Sequence, residues 1–213
     1  MTAIKICGLR RPEDIEAVNE VKPDYCGFII EFPKSFRSIS CQKVRELTVG
    51  LDKAICPVGV FVNAPVSMIA ELLQENVIAM AQLHGQETEE DIRTLQRMTG
   101  KPVIKAFSVK TAEDVKMASQ SCADYVLLDQ GSGGTGKTFD WSLIRDIGRD
   151  YFLAGGLGSD NLEEAIHRFH PFAVDLSSSL ETDRVKDTEK MRHAVRIVRE
   201  TASENQRGEH KNV

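Results

Sequence analysis

Short apolar runs alternate with amphipathic stretches along almost the whole chain. Such a run is typical of a strand buried on both faces, as in a parallel sheet covered by helices. Eight runs fit this description, at residues 3–7, 25–30, 57–62, 79–83, 103–107, 125–128, 151–154 and 172–176. Between them, apolar residues recur at helical spacing, as Ile15, Val18 and Val21 do before the second run. The pattern therefore predicts strands alternating with helices.

Residues that favour helix starts follow most of the predicted strands. Pro12 suits a first helical position and Ser40 suits an N-cap, while Thr88 and Asp160-Asn161 are expected to start helices. About eight strand-then-helix units with short connections predict a parallel sheet closed into a single (β/α)8 TIM barrel. An open doubly wound sheet is the alternative. We expect the barrel to span residues 1–202, with a polar, frayed tail at 203–213.

The barrel prediction places the active site at the C-terminal ends of the strands, because loops from all eight strands meet there. Polar and glycine residues follow many of the predicted strands, although they are far apart in sequence. The residues expected at this mouth are Cys7, Arg37, Gln82, His84, Asp129, Gly155, Gly156, Asp175, Ser177, Ser178 and Ser179.

The composition and net charge limit which ligands and partners the protein can bind. The 213 residues carry a formal net charge of -5, so no basic field is available to attract nucleic acid. The five cysteines form no CxxC pair, which favours reduced thiols and argues against a zinc site. No His, Asp and Glu cluster has metal spacing, and no apolar run is long enough to span a bilayer. We expect a cytoplasmic protein without a metal.

A glycine-rich loop from Gly131 to Thr138 matches the pattern G-x-x-x-x-G-K-[ST] of nucleotide-binding loops. That loop must lead directly into a helix whose N-terminus faces the phosphates. Here the best helix start is Asp140, which leaves Lys137 in the loop. We therefore prefer another role for these glycines, and a loop without a ligand is the simplest alternative.

A phosphate site is expected at Gly155-Gly156 and Ser177-Ser178-Ser179. In TIM barrels, the loops after the seventh and eighth strands often bind phosphate through backbone N–H groups. Glycine lets the backbone approach an anion closely, and Gly134 is a possible third contributor. A tight turn without a ligand is the alternative for Gly155-Gly156.

Cys7 and Asp129 are candidates for an acid–base pair, since each ends a predicted strand. A lone cysteine is more often a small buried hydrophobe, but a thiolate can act as a base. Partial burial of Asp129 would let it donate a proton. Arg37 has the forked geometry that binds a carboxylate, although a solvated loop arginine is commoner. His84 suits either a ligand contact or a core position.

The ordered set of motifs resembles the phosphoribosylanthranilate isomerase family of tryptophan biosynthesis. The motifs are KICG at Lys5–Gly8, PKSFR at Pro33–Arg37, VGVFVN at Val58–Asn63, QLHG at Gln82–Gly85, LLD at Leu127–Asp129, GGTGKTFDW at Gly133–Trp141, GGL at Gly155–Leu157 and PFAVDLSS at Pro171–Ser178. Each is weak alone, but their order and spacing over about 180 residues are specific. The family carries GKTFDW after its sixth strand, which removes the nucleotide-binding interpretation.

The resemblance implies an isomerase that converts N-(5-phosphoribosyl)anthranilate to 1-(2-carboxyphenylamino)-1-deoxyribulose 5-phosphate by an Amadori rearrangement. It implies Asp129 as general acid, Cys7 as general base and Arg37 as the group that holds the anthranilate carboxylate. It also implies no cofactor. The expected substrate contacts are Arg37, Gln82, His84, Gly134, Gly155, Gly156, Asp175, Ser178 and Ser179.

Three residues depart from the usual family pattern. Ala154 and Ser179 replace a serine and a glycine at the expected phosphate site, and Phe36 adds bulk beside Arg37. A related phosphosugar isomerase on the same barrel and a non-catalytic phosphate-binding protein remain alternatives. The sequence leaves a monomer and a homodimer equally open.

Overall fold

Eight parallel strands close into a barrel in the computed structural model, which describes residues 1–129, 143–144 and 147–209, with side chains to residue 201. The described strands are β1 (Ala3–Cys7), β2 (Tyr25–Ile30), β3 (Ser38–Ile39), β4 (Cys56–Phe61), β5 (Met80–Leu83), β6 (Val103–Ser108), β7 (Tyr125–Asp129), β8 (Tyr151–Leu153), β9 (Ala173–Leu176), β10 (Glu181–Thr182) and β11 (Val185–Lys186). Closure comes from β1, which pairs in parallel with both β2 and β9. The TIM barrel prediction is confirmed, and the open sheet is excluded.

Helices pack around the barrel, and their starts follow local chemistry. Those described are α1 (Pro12–Val21), α2 (Cys41–Thr48), α3 (Val66–Gln74), α4 (Glu89–Thr99), α5 (Ala112–Gln120), α6 (Leu162–Phe169) and α7 (Thr188–Glu209). Pro12 opens α1, and Ser40 caps α2 by accepting the Lys43 N–H. Thr88 and Asp91 form a reciprocal capping box at α4. The helix expected from Asp140 lies outside the described residues.

The last helix continues beyond the domain boundary expected after residue 202. The backbone of α7 is helical as far as Glu209, and Met191, Val195 and Val198 are buried in the core. Fraying of residues 203–213 stays a prediction. None of the helices in the described ranges combines the length and apolar content that crossing a bilayer requires.

The alternation of side chains along each strand divides the core into two parts. A larger cluster fills the layer between strands and helices and includes Phe28, Phe61 and Leu128. A smaller one fills the barrel interior with Val58, Met80, Ile104, Leu127, Phe152, Ala154 and Ala173. Because successive residues of a strand point to opposite faces, the inward row continues past these apolar layers to polar residues at the strands' C-terminal ends. The barrel interior is therefore apolar along most of its length and carries polar side chains at the C-terminal mouth.

Candidate active site

Most of the expected site residues lie at one mouth of the barrel. Cys7 ends β1, Gln82 lies on β5 with His84 just beyond it, Asp129 ends β7, and Asp175 lies on β9. Gly155 and Gly156 follow β8. In a closed parallel barrel, all of these positions share the C-terminal face. Gly134 and Lys137 lie outside the described residues.

Cys7 is buried beside an ion pair. Lys5, fully buried two residues earlier on the same strand, donates to Asp175 Oδ1 at 2.9 Å and also interacts with the Cys7 thiol. Burial raises the pKa of Cys7, and Lys5 opposes that rise. Burial lowers the pKa of Lys5, but Asp175 and Cys7 outweigh it and raise that pKa overall, so Lys5 is a cation.

Gly27 makes room for this arrangement. It lies opposite Cys7 in the β1–β2 register. A Cβ at Gly27 would lie 2.7 Å from Cys7 Sγ and 3.1 Å from Lys5 Nζ, both closer than normal packing allows. The glycine on β2 therefore lets the thiol and the ammonium approach each other.

His84 lies between Gln82 and Asp129. Gln82 Nε2 and His84 Nδ1 are 2.9 Å apart, and His84 Nε2 is 3.5 Å from Asp129 Oδ2. His84 therefore has one ring nitrogen beside the Gln82 amide and the other beside the Asp129 carboxyl group. The Oε1 atom of Gln82 is buried and lacks a hydrogen-bond partner among the described residues. The geometry makes Gln82 an orienting residue for His84.

Arg37 is held by a residue far along the chain. Its Nε and Nη2 each donate to the Glu181 carboxylate at 2.7 Å. Glu181 also accepts from Lys186 Nζ at 2.9 Å. The Arg37 guanidinium lies 4.2 Å from the centre of the Phe36 ring, so Phe36 stacks on Arg37. Arg37 is thus an anchored group at the mouth.

The two loops expected to bind phosphate differ in backbone conformation. Gly155 and Gly156 both have positive φ, at 84° and 67°, which glycine adopts without strain. Ser178 and Ser179 begin a short 3₁₀ helix, and Ser179 is not among the residues with positive φ. Replacing the family glycine with Ser179 therefore costs no backbone strain of this kind. Among the described residues, no group of three or more His, Cys, Asp or Glu side chains is arranged to hold a metal ion.

Three charged residues of this site were missing from the sequence-based candidates: Lys5, Glu181 and Lys186. A signal for Lys5 was present in the sequence, because a lysine inside an apolar strand is buried and needs a buried partner for its charge. Glu181 and Lys186 gave none, since they lie in a polar stretch after the last barrel strand. Only the fold turns them towards the mouth.

Comparison with known proteins identifies the family. A family model described as N-(5'phosphoribosyl)anthranilate (PRA) isomerase matches residues 4–196. The N-(5'-phosphoribosyl)anthranilate isomerase of Endomicrobium trichonymphae is 43% identical over 203 residues, which cover 93% of this chain and 99% of that protein.

Solved structures similar to this one belong to the same family. The crystal structure of phosphoribosyl anthranilate isomerase from Thermotoga maritima has a TM-score of 0.84 at 36% identity, covering 93% of this chain and 99% of that one. A structure of such an enzyme in complex with reduced 1-(o-carboxyphenylamino)-1-deoxyribulose 5-phosphate has a TM-score of 0.82 at 35% identity, with the same coverage. With the barrel and the polar mouth described above, these matches show that the chain belongs to the N-(5'-phosphoribosyl)anthranilate isomerase family.

Proposed function

We propose that this protein converts N-(5-phosphoribosyl)anthranilate to 1-(2-carboxyphenylamino)-1-deoxyribulose 5-phosphate in tryptophan biosynthesis. The observation that carries the proposal is the position of Cys7 and Asp129, which end β1 and β7 at the same barrel mouth in a chain of this family. The rearrangement moves hydrogen from C2 to C1 of the sugar, so it needs an acid and a base but no redox partner.

Asp129 is the general acid in this proposal. It donates a proton to the ribose ring oxygen as the bond from that oxygen to C1 breaks, and the amine nitrogen's lone pair forms a C=N bond to C1. The carboxyl group is buried and next to His84 Nε2. In this proposal His84 presents an Nε2–H, which stabilises the carboxylate that remains after proton transfer.

Cys7 is the general base. Its thiolate removes the proton from C2, and the electrons of that C–H bond form a C1–C2 double bond as the C=N electrons return to nitrogen. The resulting enolamine then becomes the ketone: a proton is added at C1, and the C2 hydroxyl loses its proton as the C2=O bond forms. Lys5 supports this step because its buried ammonium stabilises the thiolate form.

The two anionic ends of the substrate, the anthranilate carboxylate and the phosphate, are assigned to groups on either side of Cys7 and Asp129. A guanidinium has five N–H donors, so Arg37 keeps donors for the anthranilate carboxylate while two are directed at Glu181. Backbone N–H groups near Gly155, Gly156, Ser178 and Ser179 are assigned to the phosphate, with Gly134 as a third contributor. Gln82, His84 and Asp175 are assigned to the sugar side of the mouth.

The direct test follows the fluorescence of phosphoribosylanthranilate with purified protein in the presence of a chelator. We expect the fluorescence to decay, with the carboxyphenylamino ribulotide as the only product. Fluorescence that stays constant, with the folded barrel confirmed by circular dichroism, would contradict the assigned substrate.

The activity should depend on pH through the base. Burial raises the pKa of Cys7 above its ordinary value, so the free enzyme holds little thiolate near neutrality. Below that pKa, each added pH unit gives about tenfold more thiolate. We therefore expect kcat/KM to increase with pH through neutrality, without a plateau below about 8.5, the usual thiol pKa. A plateau in the acidic range would argue against a buried thiol as the titrating base.

Gly27→Ala should impair the reaction more than the fold. The added Cβ would be 2.7 Å from Cys7 Sγ, so the base must move. A displacement of about 1 Å costs roughly a hundredfold in rate. The measurement is turnover alongside thermal unfolding. Gly50→Ala is the control, because its Cβ would meet its nearest neighbour at an ordinary 3.8 Å. Equal activity of the two variants would contradict the tight fit around Cys7.

A further inference from the structure

A second buried ammonium lies near Cys7. Lys186 ends the short hairpin of β10 and β11 that follows the last barrel strand. Its side chain is only 2% exposed, and its Nζ donates to the Glu181 carboxylate and to the Ser177 carbonyl, both at 2.9 Å. A lysine is rarely buried so deeply without a reason, because removing its charge from water is costly.

The charges around Lys186 do not balance internally. Glu181 is shared between Lys186 and Arg37, so two buried cations face one carboxylate. Burial lowers the pKa of Lys186 below its ordinary value, although Glu181 and Cys7 oppose part of that decrease. A surplus positive charge in a low-dielectric site attracts an anion. Two anions suit this position: the thiolate of Cys7 and the carboxylate of the substrate.

Contacts connect Lys186 to Cys7 through a single residue. Ser177 accepts from Lys186 with its carbonyl oxygen, while its hydroxyl donates to the Cys7 carbonyl at 3.0 Å. The other charged groups that face Cys7 are Lys5 from its own strand and Asp175 from β9, whereas the Cys26 thiol on β2 belongs to the outer core cluster. Lys5 lowers the pKa of Cys7, and its partner Asp175 opposes part of that effect. Lys186 therefore acts on the thiol as a second cation beside Lys5.

We propose that Lys186 is a positioning residue for the base: its ammonium, held by Glu181, stabilises the thiolate form of Cys7. This rests on the proposed role of Cys7 in the reaction. The hairpin then serves both halves of the chemistry, because Glu181 orients Arg37 and Lys186 together.

The test is the titration of Cys7 itself, which requires no substrate. The ultraviolet absorbance of the thiolate is followed against pH in the Lys186→Met protein and in the wild type, and the same curves for the matching Cys7→Ser proteins are subtracted. We expect the Cys7 midpoint to move up by about one pH unit, and alkylation by iodoacetamide near neutrality to slow about tenfold. Lys186→Arg keeps the charge and should restore most of the shift.

The matched control is Lys190→Met. Lys190 is exposed, and its Nζ donates to the backbone carbonyl oxygen of Glu181 rather than to the carboxylate. Its loss should leave the Cys7 midpoint unchanged. Lys186→Met leaves Glu181 paired with Arg37, so the fold should survive; Lys186→Gln gives the same comparison if the methionine variant unfolds.

A Cys7 midpoint that is the same in Lys186→Met and wild type overturns the proposal, even if KM rises, because the surplus charge then serves the substrate carboxylate. Undiminished turnover by Cys7→Ala would show that Cys7 is not the base. That separate measurement would contradict the proposed function rather than the role of Lys186. A raised midpoint together with a lower kcat supports the assignment.

Discussion

Cys7→Ser should lower kcat by about 10²–10⁴-fold, the range in which a general base contributes. Serine retains nearly the shape of cysteine, so the buried site beside Gly27 and Lys5 stays filled. The hydroxyl does not ionise in the accessible pH range, so no base remains to remove the proton from C2. Steady-state turnover of phosphoribosylanthranilate measures this loss.

Cys122→Ala is the matched control, because Cys122 precedes β7 at the opposite end of the barrel. It should retain full turnover. Asp129→Asn should cause a loss of the same size, since an amide keeps the contact with His84 but has no acidic proton. If Cys7→Ser kept more than a tenth of the wild-type rate, another group would have to be the base.

Lys5→Met should produce the largest loss of stability of any single substitution at the mouth. Lys5 is fully buried, and the side chain of its partner Asp175 is only 9% exposed. Removing one member of a buried ion pair leaves the other charge uncompensated, which costs about 3–5 kcal/mol. Urea unfolding followed by circular dichroism gives the change in the free energy of unfolding.

A double-mutant cycle distinguishes this cause from lost packing. Lys5→Met/Asp175→Leu removes both charges and should recover much of the stability that Lys5→Met loses. Arg97→Met, in the exposed Arg97–Glu90 pair, is the control and should leave the unfolding midpoint unchanged. A double variant as unstable as Lys5→Met would show that the loss comes from packing rather than from the unpaired carboxylate.

The pairing of Arg37 with Glu181 refines its assigned role. A solvent-exposed, mobile arginine would lose side-chain freedom on binding a carboxylate, and that loss of conformational entropy weakens affinity. Here Glu181 already holds the guanidinium, and Phe36 stacks on it. Because most of this ordering occurs in folding, the group is preorganised for the substrate.

Local patterns in the sequence determined the architecture of this protein. Apolar runs, helical spacing and caps such as Ser40 and Thr88 specify strands and helices through contacts within a few residues. Their regular alternation leaves few topologies, which is why the barrel was predictable. The same logic located Cys7 and Asp129 at strand ends, because strand ends are visible in the apolar pattern. Their catalytic roles stay predictions.

Only the tertiary structure decided which charges meet. Lys5 and Asp175 are 170 residues apart in the chain, and Arg37 and Glu181 are 144 apart. No local pattern records such pairs, because they exist only after β1 closes the barrel against β9 and the hairpin folds back over the mouth. Burial then sets the strength of each interaction, and burial is a property of the whole fold. The sequence therefore determined the scaffold and the positions of the reactive groups, whereas the fold determined their electrostatic environment.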